Sequence, residues 1–448
     1  MSACDVLIVG GGPAGLAASV AAARAGLSVL LAEQRPRLGG AILRRALDGG
    51  PPRMAVPVRH LRAWERLEAE RCRLGERIRL MCETVFLGVD GAGRFLLEDR
   101  AAGRVKAIRP RGVVFAVGAV ERVLPRPGWE LPGVLTAGGM QLGLKETGEI
   151  PDGSVLIAGS GPLPLVLAAQ LVAAGRLPVA VLERGQPIGT GLRHPLLAAR
   201  AMASWPHLIE GAAAMARLVR FGVPWHGGWA VRSVRQAGEG LEVHATDAAG
   251  RERLYHVRHL VLHDGLRPNV TGLPATEAAG VPVLRAGDCR DVLGADAAVL
   301  DGARAGELLV RRIADPAVPE GPLPAGLGAA RRLQDAFTAL CAFTAPPIPP
   351  ETVLCRCEGR DRVTLDALGT DPGARTVRLI GRFGMGLCQG RFCADTVSEF
   401  GGFAPGALAG TAPRWPLRPV SVAALAALDV TDSDEPGVGQ DAANGQSC

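Results

Sequence analysis

Aromatic residues make up only 4% of the 448 residues, and Tyr255 is the single tyrosine. Lysine is almost missing: Lys106 and Lys145 are the only two, so arginine supplies nearly all the positive charge behind a modest net +6. A nucleic-acid reader concentrates basic residues on one face with aromatics between them. Scattered arginines and few aromatics point instead to a solvated basic surface, and no nucleic-acid partner is expected. The opening "MSACDVLIVGGG" has no basic leader and places Asp5 early, so no secretory signal is read and a cytoplasmic location is expected. The uncharged run 155–175 is long enough to cross a bilayer, but Gly159, Gly161, Pro162 and Pro164 interrupt it. It reads as a strand, a tight turn and a buried helix. No transmembrane segment is expected, which leaves peripheral membrane association as the only membrane contact considered.

What is present in quantity is small and apolar. Nearly half of the chain, 48%, is hydrophobic, with 60 glycines, a composition suited to helices lying close on parallel sheets. The length predicts several domains. Ten cysteines in a cytoplasmic chain argue for metal or redox chemistry rather than structural disulfides. Cys4, Cys72, Cys82, Cys289, Cys341 and Cys448 stand alone and read as small core or tail residues.

"DVLIVGGGPAGLAASVAAARAGLSVLLAEQ" reads as strand, turn, helix and strand. Gly10, Gly12 and Gly15 give the G-x-G-x-x-G spacing: the first for the tight turn, the second for close approach of a pyrophosphate, the third for helix–strand contact. Pro13 and Ala14 open the helix whose free N–H groups would face the phosphates. Glu33, 23 residues after Gly10, ends the second strand where a carboxylate can bind an adenosine ribose. Gly39 and Gly40 bring a second loop to the same ligand.

"GVVFAVGAVER" (112–122, containing Gly118) resembles the strand and glycine turn of two-dinucleotide-domain flavoproteins, and "VPVLRAGDC" resembles their late strand ending in Gly287 and Asp288. The resemblance implies FAD, with Asp288 on the ribityl chain. Val85 is counted with these expected FAD contacts. It also implies a discontinuous FAD domain with a second unit inserted. That insertion carries its own fingerprint, with Gly159, Gly161 and Glu183, but Pro164 stands at the third glycine's position. Proline donates no N–H, so the anion site is poorer. ATP or NAD, or nothing, is expected there, and a 2′-phosphate is disfavoured by Glu183. No cysteine pair falls in 39–50 or 131–148, where the disulfide reductases of that superfamily carry theirs, so thiol–disulfide exchange is not the expected chemistry. None of the eight histidines sits in an acid–base motif, and no catalytic residue is assigned.

Cys355 and Cys357 are separated by one residue; 30 residues later come Cys388 and Cys393, separated by four. Zinc sites usually pair ligands as C-x2-C. Four thiolates on two loops suit a [2Fe–2S] cluster, two sulfurs for each iron, and Gly384, Gly386 and Gly390 would free N–H groups to approach the sulfurs. "VLCRCE" with "GMGLCQGRFC" resembles the bacterioferritin-associated-ferredoxin-like domain.

Together with "GWELPGVLTAGGMQ" (128–141), these features make the chain from Asp5 to about Pro419 resemble the α-type FAD/[2Fe–2S] subunit of bacterial heteromeric amine-oxidising dehydrogenases. That group includes D-hydroxyproline, octopine/nopaline and proline dehydrogenases and hydrogen cyanide synthase. It implies an electron-transfer subunit beside a D-amino-acid-oxidase-like partner that oxidises the C–N bond, with room for a small ferredoxin-like third subunit. The alternatives are a self-sufficient NADH-dependent flavin/iron–sulfur reductase and a nucleotide-binding scaffold. The expected fold is α/β: an FAD domain (1–122 and 265–315), an inserted dinucleotide-binding-like domain (123–264), a linker and helix (316–349), a [2Fe–2S] domain (350–410), and a C-terminal segment with a disordered tail (411–448).

Overall fold

The computed structural model describes residues 4–50, 53–344, 347–370, 372–402 and 415–428. The first sheet runs in the order Glu277–Ala278, Val281–Arg285, Gly112–Phe115, Val6–Val9, Val29–Ala32, Ile78–Met81. All pairs are parallel except the edge pair of 277–278 with 281–285. Strands covered on both faces must be apolar throughout, and VLIV and VLLA are buried at every residue. One face is covered by the helices Pro13–Arg24 and Ala295–Ala314. The other is covered by an antiparallel sheet of Thr84–Val89, Phe95–Asp99 and Arg104–Ile108, through Phe86, Phe95 and Leu97. The two helices meet through small residues. A Cβ on Gly302 would lie 2.1 Å from the Ala14 carbonyl oxygen, and one on Gly306 would lie 2.6 Å from that of Ala18.

The same plan recurs between residues 134 and 263. A wholly parallel sheet, ordered Trp225–Gly227, Ala180–Glu183, Val155–Gly159, His259–His263, Val134–Thr136, is packed on one side by the helices Ala137–Glu146, Pro162–Ala173 and Trp205–Arg220. On the other side lies the antiparallel meander Trp229–Ala237, Gly240–Asp247, Glu252–Val257. The run 155–175 is therefore strand, turn and buried helix, and no described helix is long and apolar enough to cross a membrane. A two-stranded ribbon, Ala119–Glu121 with Leu266–Pro268, carries the chain between the two units.

A small C-terminal unit packs Leu354, Leu365, Val377, Phe383 and Val397 into its own core. It rests on the crossover: the Trp129 indole N–H donates to the Val353 carbonyl at 2.7 Å, Arg267 pairs with Asp395 at 3.0 Å, and Arg122 pairs with Glu399. Residues 415–428 then return to the first unit, where Ala424 closes the core of Val85, Leu87, Leu96 and Val105. The end of the segment read as a cluster domain, 403–410, lies outside the described residues, as do 411–414 and the tail from 429 on.

The two nucleotide units are clamped by the end of helix Ala137–Glu146. The Lys145 ammonium donates to the Ala41 carbonyl at 3.0 Å and to Gln141 at 3.3 Å, and Glu146 lies 3.3 Å from both Arg35 and Arg44. Burial, then the Arg44 charge, pushes the Lys145 pKa down to about 8. An unfolded lysine titrates near 10.4. Between about 8 and 10.4 the unfolded chain therefore holds more protons, and stability should rise with pH through this group. Urea unfolding of the wild type and Lys145→Met across that window should show a rise in the wild type that the variant lacks.

Candidate functional site

Both candidate nucleotide sites form at the carboxyl ends of parallel strands. In the first, Gly10 has φ +107°, and a Cβ there would lie 2.5 Å from the Ala116 carbonyl oxygen. A Cβ on Gly15 would lie 1.8 Å from the Gly10 oxygen, so only glycine lets the helix rest on the turn. Gly12 differs. Its nearest neighbour would be the Gly40 Cα at 3.5 Å, an ordinary contact, so Gly12 and Gly40 meet backbone to backbone with no side chain of their own to fend off a pyrophosphate. Gly287 (φ +62°) is pressed against the helix start, a Cβ there lying 2.7 Å from that of Ala14. Its N–H donates at 2.8 Å to the buried Asp301, which also binds Arg290 and Arg304. Asp288 is thereby brought beside the fingerprint. It accepts N–H bonds from Leu293 and Gly294, both at 3.1 Å, and burial pushes its carboxyl above the usual range. Glu33 accepts from Gly11 N–H at 2.7 Å and Arg35 N–H at 2.9 Å.

Gly10, Gly12, Pro13, Ala14, Gly15, Glu33, Gly40, Gly287 and Asp288 are thus brought together at the carboxyl end of the first sheet. Gly118 (φ +72°) lies just past the adjoining strand Gly112–Phe115, with open space where a Cβ would stand. Val85 is separate. Strand alternation sends Phe86 toward the main sheet and the Val85 side chain to the opposite core with Leu87 and Ala424.

The second site repeats the wiring. Glu183 accepts from Gly161 N–H and Gly185 N–H, each at 2.9 Å, and burial raises its pKa. Gly159 is fixed by the His263 carbonyl, 2.2 Å from where a Cβ would stand, and Gly161 has φ +91°. Pro162 is the first residue of the following helix, and Pro164 is buried in it.

Two buried polar clusters, one joining the units and one inside the second beside the crossover, were not legible as motifs. His263 pairs with Glu121 at 2.8 Å, and Glu121 also accepts from Gly138 N–H at 2.8 Å. Asp264 lies between Arg126 at 2.6 Å and Arg184 at 2.8 Å. Burial alone would raise its pKa, but the two guanidinium groups hold it below the usual range. The "HD" that ends the strand is the one sequence signal for both.

In the small unit, the thiols touch in succession: Cys355 with Cys393, Cys393 with Cys388, Cys388 with Cys357. Among the described residues no three His, Cys, Asp or Glu side chains converge as a single ion requires; the four sulfurs form a row. Main-chain N–H groups of Gly384 and Glu358 point to Cys355, and those of Phe392 and Gly390 to Cys388. Gly386 passes so close that its Cβ would lie 2.4 Å from that of Cys357. Hydrogen bonding with Cys393 is the largest influence holding Cys355 down to about 6 and Cys388 down to about 5, and the same bonds push Cys393 up, as burial does Cys357. Cys355 and Cys393 are buried and Cys357 is exposed, so the row runs from the core to the surface. Soft thiolates with N–H donors aimed at them fit an iron–sulfur cluster.

Residues 4–290 match the model of the pyridine nucleotide-disulphide oxidoreductase family. An opine oxidase subunit from Agrobacterium tumefaciens is 31% identical, over 95% of this chain and 92% of its own. Hydrogen cyanide synthase subunit HcnB of Pseudomonas aeruginosa is 30% identical, over 94% and 97%. The crystal structure of L-proline dehydrogenase from P. horikoshii shares the fold, with a TM-score of 0.59 at 18% identity, over 94% of this chain and 79% of that one.

The two inner glycines should separate cofactor binding from folding. Gly15→Ala should lower the apoprotein melting temperature and abolish flavin retention. Gly12→Ala should leave the apoprotein melting temperature near that of the wild type and weaken FAD at least about tenfold, or ~1.4 kcal/mol. Thermal unfolding and fluorescence titration with FAD measure both.

Proposed function

For a chain that belongs to the pyridine nucleotide-disulphide oxidoreductase family and is an FAD-dependent oxidoreductase, we propose the role of electron-transfer subunit in a heteromeric enzyme that oxidises an amino or imino acid. Its substrates would be of the D-hydroxyproline, proline or opine type. A D-amino-acid-oxidase-like partner would bind the substrate, and a small ferredoxin-like subunit would complete the assembly. The observation that carries this reading is the row of four thiols on a unit packed against the crossover between the two nucleotide units. The names of the relatives, one a subunit of opine oxidase and the other hydrogen cyanide synthase subunit HcnB, support it.

FAD is assigned to 1–122 with 265–315, the [2Fe–2S] cluster to 350–410, and an optional ATP or NAD to 123–264. When bound, FAD accepts two electrons at once and a [2Fe–2S] cluster passes one at a time. The chain's residues supply position. Gly12 and Gly40 would let a pyrophosphate approach the main chain, and Asp301 fixes the turn that would present Asp288. Trp129 and Arg267 hold the thiol-bearing unit in place. The NADH-reductase reading is disfavoured because Pro162 and Pro164 remove two N–H donors from the phosphate-facing helix start.

The purified chain should carry about one FAD with two irons and two acid-labile sulfides. Cys388→Ser should lose iron and its reduced electron paramagnetic resonance signal while keeping FAD. Zinc in place of iron, or an intact cluster signal in the variant, would refute the cluster assignment. In stopped-flow mixing, NADH alone should reduce the flavin slowly or not at all; bleaching at turnover rates would favour the reductase reading instead.

A further inference from the structure

The helix Ala325–Leu340 bridges the two nucleotide units. Gly326 packs against Leu300 of the helix Ala295–Ala314, and Ala336 and Leu340 pack against Ala201 of the helix Pro195–Ala201. Its end runs into the second fingerprint. Ser160, inside the glycine turn, donates its hydroxyl to the Cys341 carbonyl at 3.0 Å. A Cβ on Gly185 would lie 2.7 Å from that same oxygen and 2.8 Å from the Cys341 Cα, so the main chain lies flat on the strand end. The Cys341 thiol meets the Gly161 N–H and the Glu183 carboxylate. Two residues on, the Phe343 ring stacks at 3.6 Å on the guanidinium of Arg184, next to the ribose-binding acid.

In a dinucleotide cleft these positions belong to the ligand. The turn N–H and the acid at the strand end face phosphate and ribose, and an adjacent guanidinium offers its flat face to a base. Arg184 is nearly enclosed, with 5% of its side chain exposed, and its Nε and Nη2 have no hydrogen-bond partner. The stacked phenyl ring covers that cation but cannot accept a hydrogen bond from it in the plane.

We propose that Cys341–Phe343 is a latch lying in the second nucleotide cleft in place of ribose and base, and that an adenine nucleotide without a 2′-phosphate binds there only by displacing it. This rests on the second fingerprint being a nucleotide site and not on the electron-transfer role. The ligand would return to Arg184 the acceptors it lacks and to Glu183 a ribose hydroxyl. The latch also explains why Cys341, read from sequence as a plain core residue, sits at a strand end.

ADP is the probe, used with the full chain. Calorimetry should show Phe343→Ala binding ADP at least about tenfold more tightly than the wild type, and Glu183→Ala added to that variant should remove the gain. In the closed state Cys341 is guarded, burial and then Glu183 pushing its thiol up to about 12, so alkylation by iodoacetamide should be slow. Saturating ADP should speed it, as followed by mass spectrometry of the Cys341 peptide. Equal affinities for wild type and Phe343→Ala, no ADP binding by either, or ADP binding with Cys341 still guarded would each overturn the latch. Iron and sulfide content of the same preparations judges the electron-transfer reading separately.

Discussion

In each nucleotide unit a glutamate at the end of one strand accepts a hydrogen bond from an N–H inside the glycine turn of the neighbouring strand, Glu33 from Gly11 at 2.7 Å and Glu183 from Gly161 at 2.9 Å. Much of the architecture depends on this bond. It adds a side-chain tie at the end of two strands already paired through their backbone ladder. It also leaves the carboxylate buried but partnered, and therefore tolerable. The bond fixes the shape of the turn from which the following helix starts.

The units then meet through charge as well as packing. Glu146 lies between Arg35 and Arg44 of the other unit and Glu121 pairs with His263, while Arg126, Asp264 and Arg184 form a buried row inside the second unit beside the crossover. Buried ion pairs add little net stability, yet losing one member is costly because the other charge is left alone in the interior. Such clusters fix one relative arrangement of the two units rather than strengthening it. The thiol-bearing unit rests on the same crossover through Trp129, Arg122 and Arg267, so its distance from the first cleft is set by rigid elements rather than by a free linker.

The glycine fingerprints were legible because spacing and strain coincide: Gly10, Gly15 and Gly287 occupy places where a Cβ has no room. The four cysteines stood out by their spacing, and the structure brings their thiols into contact. What could not be read was anything joined across long sequence distance. Glu121 and His263 are separated by 142 residues and Arg126 and Asp264 by 138, and no periodicity connects them. Val85 illustrates a smaller difficulty. On a half-buried strand a shift of one residue exchanges the faces, and the side chain that meets the main sheet is that of Phe86. Cys341 looked ordinary because its importance comes from the Ser160, Gly161 and Glu183 beside it.

The return of residues 415–428 onto the sheet containing Val85 has a bearing on biosynthesis. The first unit takes its strands from 6–115 and 277–285, its covering helix from 295–314, and its last core residues from near 424. On a ribosome these pieces emerge far apart in time, with loops of more than a hundred residues to close before the contacts form. The inserted unit is continuous from 134 to 263 and can consolidate while the rest is still being made. The first unit must wait with its early strands unpartnered until 277–314 has been made, and its second core is closed later still by Ala424. Over that interval its apolar strands stand exposed, and the nascent chain has to be kept from aggregating.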